Sequence, residues 1–249
     1  MENNILIFIL VGFFAQMIDG ALGMAYGVSS NTVLLSIGLP PATASASVHM
    51  SKVFTTFVSG ISHWHLKNVS RDLIIKLFLP GILGGILGVL ILTSLPGDKL
   101  KPYISAYLLI MGLIILIKAL RKDHKIKQVT SYIPPIGLIG GFFDAIGGGG
   151  WGPVVTTTLV ARGNHPRYTI GSVNFCEFFV TIAQSITFIL TLTFFQYWRI
   201  ILGLLIGGVI AAPLSAILTK KLPIRLLMFL VGILIIALSI YTLVLSIAR

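Results

Sequence analysis

Five ionisable side chains fall inside runs of apolar residues: Asp19, His49, Lys52, Asp144 and Glu177. A charge at bilayer depth costs about 2.5–3.5 kcal/mol on insertion scales, so each such residue needs a partner or a task. Two of them belong to the series Ser45, His49, Lys52, Thr56 and Ser59, whose steps of four, three, four and three place all five on one helical face. At an offset of 125 the chain reads Ile170, Asn174, Glu177, Thr181 and Gln184. Lys52 thereby corresponds to Glu177, and His49 to Asn174. The pair supports two chemistries. Lys52 and Glu177 can form an interhelical salt bridge that only positions two helices. Alternatively, Lys52, His49 and Asn174 hold an anion while Glu177, Asp19 or Asp144 carries a coupling proton.

Asp19 and Asp144 stand just before glycines. Gly20, Gly23, Gly149, Gly150 and Gly152 would let backbone approach a ligand with no side chain between. A helix begun at membrane depth also offers unpaired N–H groups and the positive end of its dipole, which suits a small oxyanion. Close helix packing in lipid is the other use of the same glycines. The two aspartates are either helix caps or protonatable couplers.

These residues need apolar elements to hold them, and composition supplies little else. Of 249 residues, 56% are hydrophobic and 10% charged. A soluble domain carries roughly 25% charged residues, so this chain is expected to be an integral membrane protein. The net charge of +11 is spread over short loops, which points to membrane headgroups and argues against a nucleic-acid partner. The single cysteine, Cys176, excludes an internal disulfide and any CxxC site. His63 and His65 flank Trp64 at a span end and read as interfacial; His-x-His alone is a weak metal signal. Gly84 to Gly88 and Gly203 to Gly208 precede no Lys-Ser/Thr, so no phosphate loop is read there. No nucleophile with a base and no ligand cluster emerges, so neither an enzyme nor a cofactor is expected. Met1-Glu-Asn-Asn lacks a basic signal-peptide start, and the first apolar run is expected to be retained.

Apolar runs cover about 5–37, 44–62, 73–94, 102–120, 133–160, 168–192, 197–218 and 223–247. Residues 5–37 as one helix would reach roughly 50 Å, well beyond a bilayer core of about 30 Å. Asp19 to Gly27 and Gly147 to Pro153 interrupt the first and fifth runs, so each is expected to be two half-helices meeting at a break. Gly12-Phe-Phe14 recurs as Gly141-Phe-Phe143, Gly20 and Gly23 match Gly149 and Gly152, and Gly84-Gly85 recurs as Gly207-Gly208. Duplication explains this order. If each broken run returns to its starting face, one side collects 13 Lys and Arg against 4, a strong positive-inside signal. The expected fold is an all-α polytopic membrane protein of two inverted repeats, each a broken Gly-rich helical hairpin plus three transmembrane helices. Residues 1–120 form the N-terminal repeat, 121–131 a basic cytoplasmic linker and 132–249 the C-terminal repeat, with both termini outside.

The break from Gly141-Phe-Phe-Asp144 through Gly147-Gly-Gly-Gly150 to Trp151-Gly-Pro153, its degenerate partner Gly12 to Gly27, the eight runs and the basic linker together resemble the sulfite exporter TauE/SafE family, also called the toluene-sulfonate uptake permease family. The resemblance covers essentially the whole chain. It implies a secondary transporter of a prokaryotic plasma membrane that moves sulfite, sulfonates or related small sulfur-containing anions. The first-half motif Asp19-Gly-Ala-Leu-Gly23 departs from the Gly-rich form. The reading is therefore an alternating-access anion carrier, coupled to protons or another ion. Its rival is a metal-cation carrier or channel using the intramembrane carboxylates. Partners are a small anion and membrane lipids, with a homodimer left open.

Overall fold

A computed structural model describes residues 5–22, 24–120, 132–156, 158–159, 162, 164–192, 197–218 and 224–247. The linker at 121–131 and Gly23 lie outside these residues. All regular structure among the described residues is helical: α1 (Ile5–Leu22), α2 (Tyr26–Ser36), α3 (Pro41–His65), α4 (Arg71–Ser94), α5 (Gly97–Leu120), α6 (Ile133–Gly147), a short π-wound helix α7 (Trp151–Thr156), α8 (Pro166–Thr191), α9 (Trp198–Leu218) and α10 (Ile224–Ile247). The two long runs expected to break do so, between α1 and α2 and between α6 and α7. At the first break Ala25 is left-handed with φ 97°, and at the second Gly148 ends α6 with φ 68°. The long helices α3 and α8 both start at a proline that follows an extended residue, the arrangement proline favours at a helix start.

Burial runs opposite to that of a water-soluble protein. Ile75 and Leu190 are 74% and 80% exposed, whereas Lys52 and Glu177 are each 2% exposed. Such a surface matches lipid. The segments Arg71–Ser94, Lys99–Ile117 and Tyr168–Thr191 are long and apolar enough to cross a bilayer, and Ile5–Asp19, Ile133–Gly147, Trp198–Ala212 and Gly232–Leu245 are shorter apolar helices. Helix α3, 25 residues long, is not in either group because its polar face lowers its hydropathy.

Helices in lipid associate by close van der Waals packing, which small residues permit. The first half of the chain packs against the second in matching pairs: α1 lies on α9, α6 on α4, α3 on α8 and α5 on α10. The contacts within the first two pairs correspond residue by residue. A β-carbon on Gly12 would lie 2.3 Å from the Leu204 carbonyl oxygen, and one on Gly141 would lie 2.1 Å from that of Gly81. Likewise Gly207 abuts the Ile9 carbonyl, and Gly84 that of Leu138, each leaving a β-carbon only 2.0 Å. The recurrences of Gly12 with Gly141 and of Gly84 with Gly207 thus mark equivalent contacts. The two breaks meet each other as well: a β-carbon on Gly27 would lie 2.1 Å from the Gly148 carbonyl oxygen, and one on Gly149 would lie 2.1 Å from the Val28 nitrogen.

Overpacking a tight contact costs typically about 1–3 kcal/mol. Gly84→Ala and Gly207→Ala are each expected to lower the thermal midpoint of the detergent-solubilised protein by at least that equivalent. An unchanged melting curve for either variant would overturn the close-packing account.

Candidate functional site

The polar faces of α3 and α8 meet inside the bundle. Ser59 Oγ donates to Asn174 Oδ1 at 3.2 Å, and Gly60 lets the helices approach beside Phe175. Most hydroxyls on α3 are turned onto their own helix: Ser51 and Thr56 donate to carbonyls three or four residues back, which removes them as unpaired donors. Lys52, on the same face, has no such recourse. Its Nζ contacts Glu177 Oε1 directly and lies 3.5 Å from Asp144 Oδ1.

Asp144 lies one turn before the end of α6, and its carboxylate gathers four partners. Oδ1 accepts from the backbone N–H groups of Gly150 at 2.9 Å and Trp151 at 3.0 Å, which caps the entry to α7. The same oxygen faces Lys52, while Oδ2 faces His49 Nε2 at 3.1 Å. His49 is fixed from its other side, because Nδ1 lies 2.8 Å from the Ser45 carbonyl and must donate there. The link between Nε2 and Oδ2 therefore needs one proton between the two atoms. Ser45 completes the fastening by donating to the Ala145 carbonyl at 2.5 Å. His49, Asp144 and Ser45 are all 0% exposed.

The first break has the same design with fewer partners. Asp19 Oδ1 accepts from the Tyr26 backbone N–H at 3.2 Å, again seven residues ahead, as Asp144 does from Trp151. Both aromatic side chains then anchor the break. Tyr26 donates its hydroxyl to the Leu204 carbonyl and touches Ser51, and Trp151 Nε1 donates to the Val173 carbonyl at 3.0 Å. These bonds make Asp19 equivalent to Asp144, Tyr26 to Trp151 and Gly27 to Gly152. Matching glycines by sequence paired Gly20 and Gly23 with Gly149 and Gly152 instead. The difference is four residues, about one turn inserted in α1 between Gly12 and Asp19, which keeps the aspartate on the same face.

The residues singled out by sequence are placed as follows. His49, Lys52, Asp144 and Glu177 come together, and Asn174 joins the end of that seam through Ser59. Gly149 seats the crossing of the two breaks, and Gly150 supplies a cap donor to Asp144. Gly152 lies in the first turn of α7, Gly20 near the end of α1, and Gly23 outside the described residues. Sequence reading missed the pairing of His49 with Asp144, although the repeated seven-residue step from aspartate to aromatic was visible. It also missed several buried polar atoms that have no hydrogen-bond partner among the described residues: Gln16 Oε1, Asn31 Oδ1, Tyr107 Oη, Thr181 Oγ1 and Gln184 Oε1. Also among the described residues, no three His, Cys, Asp or Glu side chains gather as a metal-holding group.

Comparison with known proteins adds two findings. The family described as Sulfite exporter TauE/SafE matches residues 8–242. The chain is 43% identical over 251 residues to "Probable membrane transporter protein YtnM" of Bacillus subtilis (strain 168), covering 97% of this chain and 83% of that protein. No solved structure matches the chain.

Removing one member of a buried ion pair costs about 3–5 kcal/mol, because the other charge is left unpaired. Lys52→Gln, which strands both Glu177 and Asp144, is expected to destabilise the protein by that order. Lys52→Gln combined with Glu177→Gln is expected to recover a large part of the loss. A double-mutant cycle on thermal or denaturant unfolding reads this directly, and additive single effects would contradict the pairing.

Proposed function

Because the chain belongs to the sulfite exporter TauE/SafE family and is a membrane transporter, we propose that it is a secondary carrier of small sulfur-containing oxyanions such as sulfite and sulfonates. The observation that carries this reading is Lys52: a lysine buried at the crossing of α3 and α8, inside a lipid-facing shell, and held by Asp144 and Glu177. A cation so placed is costly in lipid and is the group an oxyanion would seek. The family description supplies the substrate class.

Both breaks are already capped by an aspartate, and Lys52 is already paired. An oxyanion therefore reaches Lys52, His49 and the glycine-lined backbone only by taking the place of a carboxylate. That exchange couples anion binding to the charge state of Asp19, Asp144 and Glu177, which we assign as the groups that take up a proton or another ion. Gly20, Gly23, Gly149, Gly150, Gly152 and Asn174 complete the proposed binding surface. The matched packing of α1 with α9 and α6 with α4 supports two inverted repeats that rock against each other around the α3–α8 crossing, giving alternating access. We further assign the protein to a prokaryotic plasma membrane, with the basic residues of the 121–131 linker in the cytoplasm and both termini outside.

Uptake of labelled sulfite, sulfonate or sulfate, and of divalent cations, into proteoliposomes tests the reading and detects electroneutral exchange as well. Wild type is expected to accumulate sulfite or a sulfonate. Lys52→Gln, reconstituted at equal amount and monodisperse, is expected to lose at least about tenfold of that flux, the equivalent of about 1.4 kcal/mol. Transport of divalent cations alone would replace the anion reading with a cation carrier.

A further inference from the structure

Around the second break the donors are paired within the protein. The Gly150 and Trp151 N–H groups go to Asp144 Oδ1, Ser45 donates to the Ala145 carbonyl, and Asn31 Nδ2 donates to the Gly147 carbonyl at 2.6 Å. Tyr107 on α5 is different. Its Oη is buried and has no hydrogen-bond partner among the described residues. Helix α5 packs mainly on α10, whereas this side chain is directed at the break.

Three contacts fix the ring there. It stacks on Phe143, with 5.1 Å between centroids and 11° between planes. A β-carbon on Gly147 would lie 2.2 Å from Tyr107 Cε1, and one on Gly150 would lie 2.5 Å from Oη. The same point beside Gly150 is 2.6 Å from the Asp144 nitrogen, so the hydroxyl is aimed at the turn that Asp144 closes.

The free atom on the other flank of the turn has the opposite character. Asn31, 0% exposed, lies against Gly148, and its Oδ1 has no partner among the described residues. With Nδ2 bound to a carbonyl, the remaining amide atom is assigned as the oxygen, and an amide oxygen only accepts. An oxyanion also only accepts. Of the two free atoms at this turn, the Tyr107 hydroxyl alone complements it. A buried hydroxyl without a partner costs stability, and phenylalanine would keep the stack on Phe143 without that cost.

We propose that Tyr107 donates its hydroxyl to the transported oxyanion at the second break, as a further substrate-recognition residue. The inference rests on the carrier reading above. An oxygen that takes the place of Asp144 Oδ1 lies beside Gly150, whose N–H that atom accepts, and Gly150 is the residue that Oη abuts. Lys52 and His49 are both held by carboxylates. Tyr107 adds a neutral donor that needs no carboxylate to leave before it can bond.

The test is binding of labelled sulfite and labelled methanesulfonate to the purified full-length protein in detergent, beside thermal unfolding of the ligand-free protein. Tyr107→Phe removes one oxygen and keeps the ring. Its ligand-free melting midpoint is expected to equal or exceed that of wild type, because no bond within the protein is lost. Its half-saturating anion concentration is expected to rise about tenfold, the equivalent of about 1.4 kcal/mol. A lower ligand-free midpoint would reveal a hydroxyl bonded inside the protein, as through a trapped water, and would overturn the proposal. An unchanged half-saturating concentration for the anion that wild type binds would overturn it too and leave the carrier reading standing. Wild type that binds neither anion would sink the carrier reading, and this inference with it.

Discussion

A charge buried away from water must be neutralised by the protein itself, and in this fold one carboxylate carries most of that duty. Asp144 caps α7 through two backbone N–H groups and faces His49 and Lys52 on α3. Lys52 in turn reaches Glu177 on α8. Asp144 thus joins a helix break to α3, Lys52 carries the link on to α8, and each buried charge is met by another. The arrangement also explains why α3 tolerates a polar face: most of its hydroxyls are turned onto its own carbonyls, and His49 and Lys52 are met from α6 and α8.

The second constraint is distance. With lipid outside, no hydrophobic drive presses these helices together, so backbones must come close enough for dispersion to hold them. Gly12, Gly84, Gly141 and Gly207 provide this at two equivalent seams, and Gly27 with Gly149 provides it where the breaks cross. The ion cluster and the glycine seams depend on each other. The seams fix the helix spacing that the short side chain of Asp144 requires, and the cluster fixes which faces the seams must join.

Much of this was legible in the residues. The four-three-four-three stripe placed His49 and Lys52 on one face, the offset of 125 paired Lys52 with Glu177, and chain length forced the breaks in the first and fifth runs. What stayed hidden depends on tertiary geometry. His49 and Asp144 are 95 residues apart, and nothing in either segment names the other. The glycines of the first break invited alignment by residue type, whereas the backbone aligns by its caps. An inserted turn leaves an aspartate facing the same way while shifting every neighbouring identity by four. The unequal satisfaction of Asp19 and Asp144 was likewise invisible, since both read as an acid before glycines.

Trp151 is the indole nearest this machinery: its backbone N–H caps Asp144, its ring lies against Gly81, and its Nε1 bonds to Val173. It is 0% exposed, whereas Trp64 and Trp198 are 43% and 53% exposed on the outer surface. Indole emission shifts to shorter wavelength in dry surroundings and responds to nearby charge. The protein therefore contains its own optical probe, set at the second break beside the ion cluster. A change in the charge state of Asp144 or in the packing of the second break reaches that fluorophore without any label, while the two outer tryptophans report the lipid or detergent around them.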